Sequence, residues 1–432
     1  MKNSNIEKQA ESKHHSTNRV RRFFANLGPG LITGAADDDP SGIATYSVAG
    51  ASLGYMTLWT ALLSFPLMAA VQLMCARLGM VTGRGLAGVV RLYYPRWVLW
   101  SACAILIVAN VFNIAADLGG MAEVTEMMTG IESYYWTPVY TILIILLLFF
   151  SSYRHIARIF KWLTLVLFAY IAAGFLAGPD WYSVLSATFV PRGEWSSTFF
   201  ATFVGILGTT ISPYLFFWQA SQEVEDDRAQ GKRTVKQREG ATLKELRVAR
   251  TDVFTGMFFS NLVMYFIILT TAATLHAHGQ TNVQTARDAA EALRPLAGNG
   301  AYLLFSVGLI GTGILGVPVL AGSAAYAVTE AAGWRGTLED QPPLSGKFYA
   351  LIAVAMLLGL ALDFVGLNAV KMLFYSAVLN GVLAPPLIVL VALLTSKSEI
   401  MGIRVSSRPL RYFGWATAAI MTAASIAMFV TM

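Results

Sequence analysis

Residues 34–45 read Gly-Ala-Ala-Asp-Asp-Asp-Pro-Ser-Gly-Ile-Ala-Thr, so three consecutive carboxylates, Asp37, Asp38 and Asp39, precede a proline inside an apolar stretch running from Leu27 to Leu53. An Asp at the centre of a membrane helix costs about 2.5 to 3.5 kcal/mol, and three facing lipid would cost roughly 7 to 10. Pro40 removes a backbone donor and disfavours helix at Asp39, and Gly42 adds freedom, which predicts a helix break at 39–42. A break at bilayer depth is tolerated only where the freed backbone is buried in protein or lines a cavity. Carboxylates and exposed carbonyls at such a break make an oxygen-rich site for a cation. The competing reading, an ordinary turn with its acids in water, leaves apolar halves too short to span.

A second interruption sharpens this reading. In residues 205–221, GILGTTISPYLFFWQAS, Pro213 follows Ser212, and Gly205 and Gly208 loosen the turns before it. Paired interruptions at corresponding positions are the sequence pointer to an inverted-repeat transporter whose binding site lies near the midplane. Other polar groups at membrane depth are Asn110, Asn113 and Asp117, with Glu123 and Glu126 near the outer end of that segment, then Asp252, Asn261, Lys371 and Asn380. Asn113 and Asp117 are four apart and share a helical face. Asp117, an ionisable group needing water or a partner, reads as part of an ion path. For Asn261 and Asn380, plain hydrogen bonding between helices competes equally with a pathway role.

The elements that must position these groups are membrane helices. Only 13% of residues are charged, against about a quarter in soluble proteins. Apolar stretches at 27–54, 56–79, 98–128, 137–152, 159–178, 196–222, 251–275, 301–331, 348–366, 369–394 and 412–431 give eleven spans, numbered one to eleven in chain order. The two breaks then open spans one and six, dividing the chain into repeats at about 25–180 and 195–395 plus an extra helix at about 410–432. Arg84, Arg91, Arg96, Arg154, Arg158, Lys161, the basic stretch 228–250, Arg335, Lys347, Lys397, Arg404, Arg408 and Arg411 all fall on one side. The other side holds Arg192, Arg287 and Arg294. The positive-inside rule makes the first side cytoplasmic, with the N-terminus inside and the C-terminus outside.

Residues 1–24 are polar and basic without an apolar core, which reads as a cytoplasmic tail rather than a signal peptide. The net charge of +6 is distributed as a topology signal, so lipid is the expected partner and nucleic acid is not. Cys75 and Cys103 lie in apolar segments and support neither a disulfide nor a metal site. His14, His15, His155, His276 and His278 form no site, although His276 and His278 sit close enough to raise the question. The glycine-rich residues 308–316 lack the Lys and Ser/Thr of a phosphate loop and read as close helix packing. The charged segment 223–250 reads as a solvated connection with a helical second half. No nucleophile and base stand at an interpretable spacing; Asp39 with Asp117 is the only pairing open to an aspartyl hydrolase, and no enzyme is expected.

The run GPGLITGAADDDPSGIATYSVAGASLGY, residues 28–55, resembles the first helix of the Nramp family of divalent metal transporters, whose broken helix carries an Asp-Pro-Gly-Asn motif. The resemblance continues through VTGRGLAGVVR, AADLGG, ILGTTISPY and DVFTGMFFSNL. It implies an all-helical fold of the leucine-transporter type, a five-plus-five inverted repeat with broken helices one and six and metal held between them. By this likeness the metal-binding Asp is Asp39, the backbone carbonyl ligand is Ala36, and the motif's Asn falls on Gly42. The family's Met-Pro-His becomes Ser212, Pro213 and Tyr214, with Thr209 three residues before Ser212. Asp117 persists, a nearby Glu becomes Gly120, and the tenth-helix Gln falls near Ser376, one turn before Asn380.

These departures bear on chemistry. A thioether favours transition metals, whereas a hydroxyl has no such preference. Gly in place of Asn removes a ligand and makes space, which suits Mg²⁺, an ion that dehydrates reluctantly and keeps several waters. The pattern is similar to the Nramp-related magnesium transporter branch and implies a carrier for Mg²⁺, with Mn²⁺ also accepted. Proton coupling is expected to be weak or absent, leaving the ion gradient and membrane potential to drive transport. Asp37 and Asp38 would concentrate cations in the approach path, and Thr209, Ser212 and Asn380 would line the site. The ion is substrate, no cofactor is expected, and a monomer is the default. The alternatives are a proton-coupled transition-metal importer and an amino-acid or amine carrier of the same fold.

Overall fold

The computed structural model describes residues 29–151, 165–334, 336–338, 345–366 and 368–432. The N-terminal tail, with His14 and His15, and the basic residues Arg154, His155, Arg158, Lys161 and Arg335 lie outside them. Every regular element among the described residues is helical.

Span one is two half-helices, Pro29–Asp37 and Pro40–Leu53. Span six repeats the device as Ser197–Thr210 and Pro213–Ala229. In each, a proline opens the second half at a first-turn position, where its missing N–H costs nothing. The residue before it, Asp39 or Ser212, is extended, with φ −70° and ψ 173° or φ −73° and ψ 133°. The break in span one therefore falls at Asp38–Asp39, ahead of the expected 39–42, and Gly42 belongs to the second half-helix. Proline forbids helix to the residue before it and not to itself.

Span two is Trp59–Thr82, span three Arg96–Thr129 and span four Ser133–Phe150; span five ends in Ala169–Leu176. Spans seven to eleven are Leu243–Thr274, Ala301–Ala332, Gly346–Asp363, Ala369–Ser396 and Arg408–Thr431. Nine helices among the described residues are long and apolar enough to cross a membrane, and broken span one and the end of span five complete the expected order. The charged segment 223–250 is helical at both ends: span six runs on to Ala229 and span seven starts at Leu243. Thr242 caps that start by accepting from the Glu245 N–H, while the Glu245 carboxylate accepts from the Thr242 N–H.

Glycines let the centre close up. A Cβ on Gly34 would stand 2.4 Å from the Gly256 carbonyl oxygen, so the first half of span one lies backbone to backbone on span seven. Spans six and ten meet the same way at Gly208 and Gly381. By contrast Ile142, Leu146 and Phe150 of span four, Val354 and Leu357 of span nine, and Phe429 of span eleven are exposed, as lipid-facing helices require. Gly34→Leu should cost about 1 to 3 kcal/mol by overpacking. The expected reading is a lowered thermal midpoint of the purified protein; an unchanged midpoint would contradict this close approach.

Candidate functional site

The two breaks lie side by side. The Tyr214 hydroxyl, one residue past Pro213, is 3.1 Å from the Ala36 carbonyl oxygen and 3.1 Å from Asp39 Oδ2, and donates toward both. The other carboxylate oxygen, Asp39 Oδ1, accepts from the Ser41 hydroxyl at 2.7 Å and the Gly42 N–H at 2.8 Å. Asp39 thus caps the second half-helix with one oxygen and turns the other across the break. Ser212 Oγ donates to the Gly208 and Thr209 carbonyls at 2.9 and 2.8 Å, and its lone pairs stay available to a cation. Both first half-helices end at the breaks, so both bring the negative ends of their dipoles there.

Six of the expected residues therefore come together: Ala36, Asp39, Gly42, Thr209, Ser212 and Tyr214. All are buried. The space expected over Gly42 is narrow here, because Thr209 fills it: a Cβ there would stand 3.0 Å from Thr209 Oγ1. On span three, Asp117 is buried beside the Ser41 amide and the Asp39 carboxylate, and Asn113, one turn earlier, is buried with both amide ends unpaired. Asn380 of span ten is likewise buried and unpaired at both ends, next to the Gly381 contact with span six. Ser376 donates to the Leu373 carbonyl of its own helix at 2.8 Å.

Two expectations meet a different geometry, and the question raised by His276 is answered as well. Asp37 and Asp38 are buried rather than set along an open approach, and they share the Ser260 hydroxyl of span seven at 2.6 and 3.1 Å. Asn261 spends its amide on span two: Nδ2 donates to the Ala61 carbonyl at 2.7 Å and Oδ1 accepts from Ser64 at 2.8 Å. It ties helices together and is not brought to the break. His276 Nδ1 lies 2.8 Å from the Ala51 carbonyl oxygen, a structural contact with span one.

Other residues gain a definite role only with the structure. Gly316, in the glycine-rich stretch of span eight, packs over the break: a Cβ there would stand 3.2 Å from the Asp39 Cβ. The Thr33 hydroxyl bonds Gln219 Oε1 at 2.6 Å, and Gln219 donates to Glu223 at 2.9 Å, linking span one to span six below the breaks. Asp252 Oδ2 accepts the Gly30 N–H at 2.6 Å, holding the start of span one against span seven. Only their small-residue or polar types hinted at such roles. Among the described residues no group of three or more His, Cys, Asp or Glu side chains is arranged to hold a metal, so any ion here would rely on carbonyl and hydroxyl oxygens as well.

Residues 30–431 match the family described as natural resistance-associated macrophage protein-like, Nramp. The chain belongs to the Nramp family. It is 28% identical over 414 residues to the divalent metal cation transporter MntH of Deinococcus radiodurans, covering 94% of this chain and 89% of that relative. The manganese transporter of Eremococcus coleocola superposes with a TM-score of 0.77 at 18% identity, over 95% of this chain and 87% of the other. MhsT bound to L-phenylalanine superposes with a TM-score of 0.60 at 13% identity, over 94% and 98%. This Nramp chain accordingly has the leucine-transporter type of fold, and its metal-transporting relatives agree with a multi-pass membrane carrier rather than an enzyme.

Proposed function

We propose that this Nramp protein is a secondary carrier of divalent cations with Mg²⁺ as its preferred cargo and Mn²⁺ also accepted. It works by alternating access of its two repeats around a site between the breaks. The observation that carries the reading is the donor set. Asp39, Ala36, Tyr214, Thr209 and Ser212 offer only oxygen, and the position before Pro213 bears a hydroxyl. Hard oxygen donors suit a hard, partly hydrated ion. Asp39 supplies the anchoring charge and Ala36 a carbonyl. Thr209, Ser212 and Asn380 bind directly or through water, while Asp117 and Asn113 line the path from span three. Tyr214 closes the gap between Ala36 and Asp39 until an ion displaces its hydroxyl.

Tyr214 and Gly120 carry no readily titrating group, which supports transport with weak or absent proton coupling. The distribution of Arg and Lys supports a cytoplasmic N-terminus and an outer C-terminus, the bacterial MntH relatives support a bacterial-type inner membrane, and nothing in the mechanism requires more than one copy.

The second reading is a proton-coupled manganese importer. It is favoured by the names of the relatives and by the Met121 thioether, which packs at Gly313 beside Pro40. Uptake into proteoliposomes, with Mg²⁺, Mn²⁺ and Ca²⁺ compared and a pH probe in the lumen, separates the two. Mg²⁺ uptake without luminal acidification is expected; acidification that tracks Mn²⁺ uptake, with Mg²⁺ ignored, would overturn the proposal.

A further inference from the structure

A cavity of about 800 Å³ opens far from the breaks, on the face that carries the basic loops. Its walls come from three separate segments: the turn after span two, the stretch following span six, and the end of span eight. Five arginines line it, Arg84, Arg91, Arg228, Arg233 and Arg238, against one carboxylate, Glu330. Glu330 accepts from the Gly88 N–H at 3.0 Å and the Ser221 hydroxyl at 3.1 Å, and of the five arginines it is Arg228 whose charge it feels.

Of the five guanidinium groups only Arg228 has an ion pair among the described residues, with Glu225 at 2.8 Å. Arg238 is buried, 4% exposed, and its donors go to main-chain carbonyls: Gly83 at 3.3 Å, Lys232 at 3.1 Å and Arg233 at 2.9 Å. It builds the wall without a direct ion pair, and the Asp227 and Glu225 carboxylates nearby offset its charge only in part. Burial and then the neighbouring Arg228 guanidinium pull Arg238 below the ordinary arginine range. Arg84, Arg91 and Arg233 have no hydrogen-bonded partner for their guanidinium groups among the described residues. Surface arginines that merely mark topology can spread apart in water, whereas these converge on one concavity of a size that holds small ligands.

We propose that this cavity binds a phosphate-bearing anion. Guanidinium groups hold phosphate through paired, charge-assisted N–H donors, which a planar fork supplies and an ammonium does not. An anion seated there would touch all three walls at once, tying the ends of spans two, six and eight together. The site stands apart from the breaks and is independent of which cation the protein carries.

The test uses the full chain in nanodiscs with EDTA present, following thermal midpoint against ligand. ATP and pyrophosphate are titrated in phosphatidylcholine discs; in a second arm phosphatidylglycerol replaces phosphatidylcholine without soluble anion. A saturable rise with ATP or pyrophosphate identifies a soluble ligand, and a rise with phosphatidylglycerol identifies a lipid headgroup; either supports the site. Arg84→Gln with Arg91→Gln should then raise the half-saturating concentration, or the required lipid fraction, by about tenfold, as expected for losing charged hydrogen bonds. Arg287→Gln, in an outer loop, should change nothing. If the double variant fails to fold, exposed Arg233→Gln carries the same comparison. No rise in any arm, or an equal rise in the arginine variants, would overturn the proposal.

Discussion

Asp39→Ala is expected to reduce Mg²⁺ and Mn²⁺ uptake in proteoliposomes to background, and Asp39→Asn to do nearly the same. The pair of substitutions separates two jobs that one carboxylate performs. Oδ1 caps the second half of span one through the Gly42 N–H and Ser41 hydroxyl, and Oδ2 faces Tyr214 and the break. Ala loses both, at a capping cost of about 1 kcal/mol; Asn caps as well as Asp but loses the charge and puts an amide donor where Oδ2 accepts from the Tyr214 hydroxyl. A unit charge pair at 4 Å is worth about 4 kcal/mol at an effective dielectric of 20, and a divalent ion doubles it. Even after the cost of stripping water from the ion, a loss of at least about a hundredfold in affinity should remain. Asp39→Asn at wild-type thermal midpoint but without uptake is the predicted signature. Near-normal uptake by Asp39→Asn would remove Asp39 from the site.

That one aspartate of three would face the break was legible in the sequence, because proline acts on the residue before it. The roles of the other two were not. Asp37 and Asp38 meet Ser260, more than 220 residues away, and nothing local to either segment announces a hydroxyl placed between two carboxylates. Span order was legible because about 20 apolar residues are needed to cross a bilayer, and two prolines at equivalent spans marked the repeat. Lateral packing was less so. The glycines of span eight read as close packing, but only the folded chain reveals that Gly316 packs against Asp39 itself. Asn261 and Asn380 looked alike as buried amides. One is satisfied by span two and the other is left unpaired next to span six, a difference fixed by rotation about the helix axis, which a polar residue in an otherwise apolar helix does not reveal.

The remaining large effect concerns which ion is chosen. Ser212→Met is expected to shift selectivity from Mg²⁺ towards Mn²⁺ and Cd²⁺ by about tenfold, since a soft thioether stabilises the softer ions and offers little to Mg²⁺. The substitution also removes the hydroxyl that bonds the Gly208 and Thr209 carbonyls, and it crowds a buried position. Both effects lower stability, crowding by about 1 to 3 kcal/mol, so absolute rates should fall even where selectivity improves. Ser212→Ala removes the same hydroxyl, with its two carbonyl bonds and its oxygen for the ion, without adding sulfur or bulk. It should slow uptake of all ions alike, with the ratio of Cd²⁺ to Mg²⁺ unchanged. The measurement is Cd²⁺ inhibition of Mg²⁺ uptake in the two variants. If Ser212→Met folds and transports but keeps the wild-type ratio, the residue before Pro213 does not touch the ion. Selectivity would then have to come from the span-one carbonyls and the water the ion keeps.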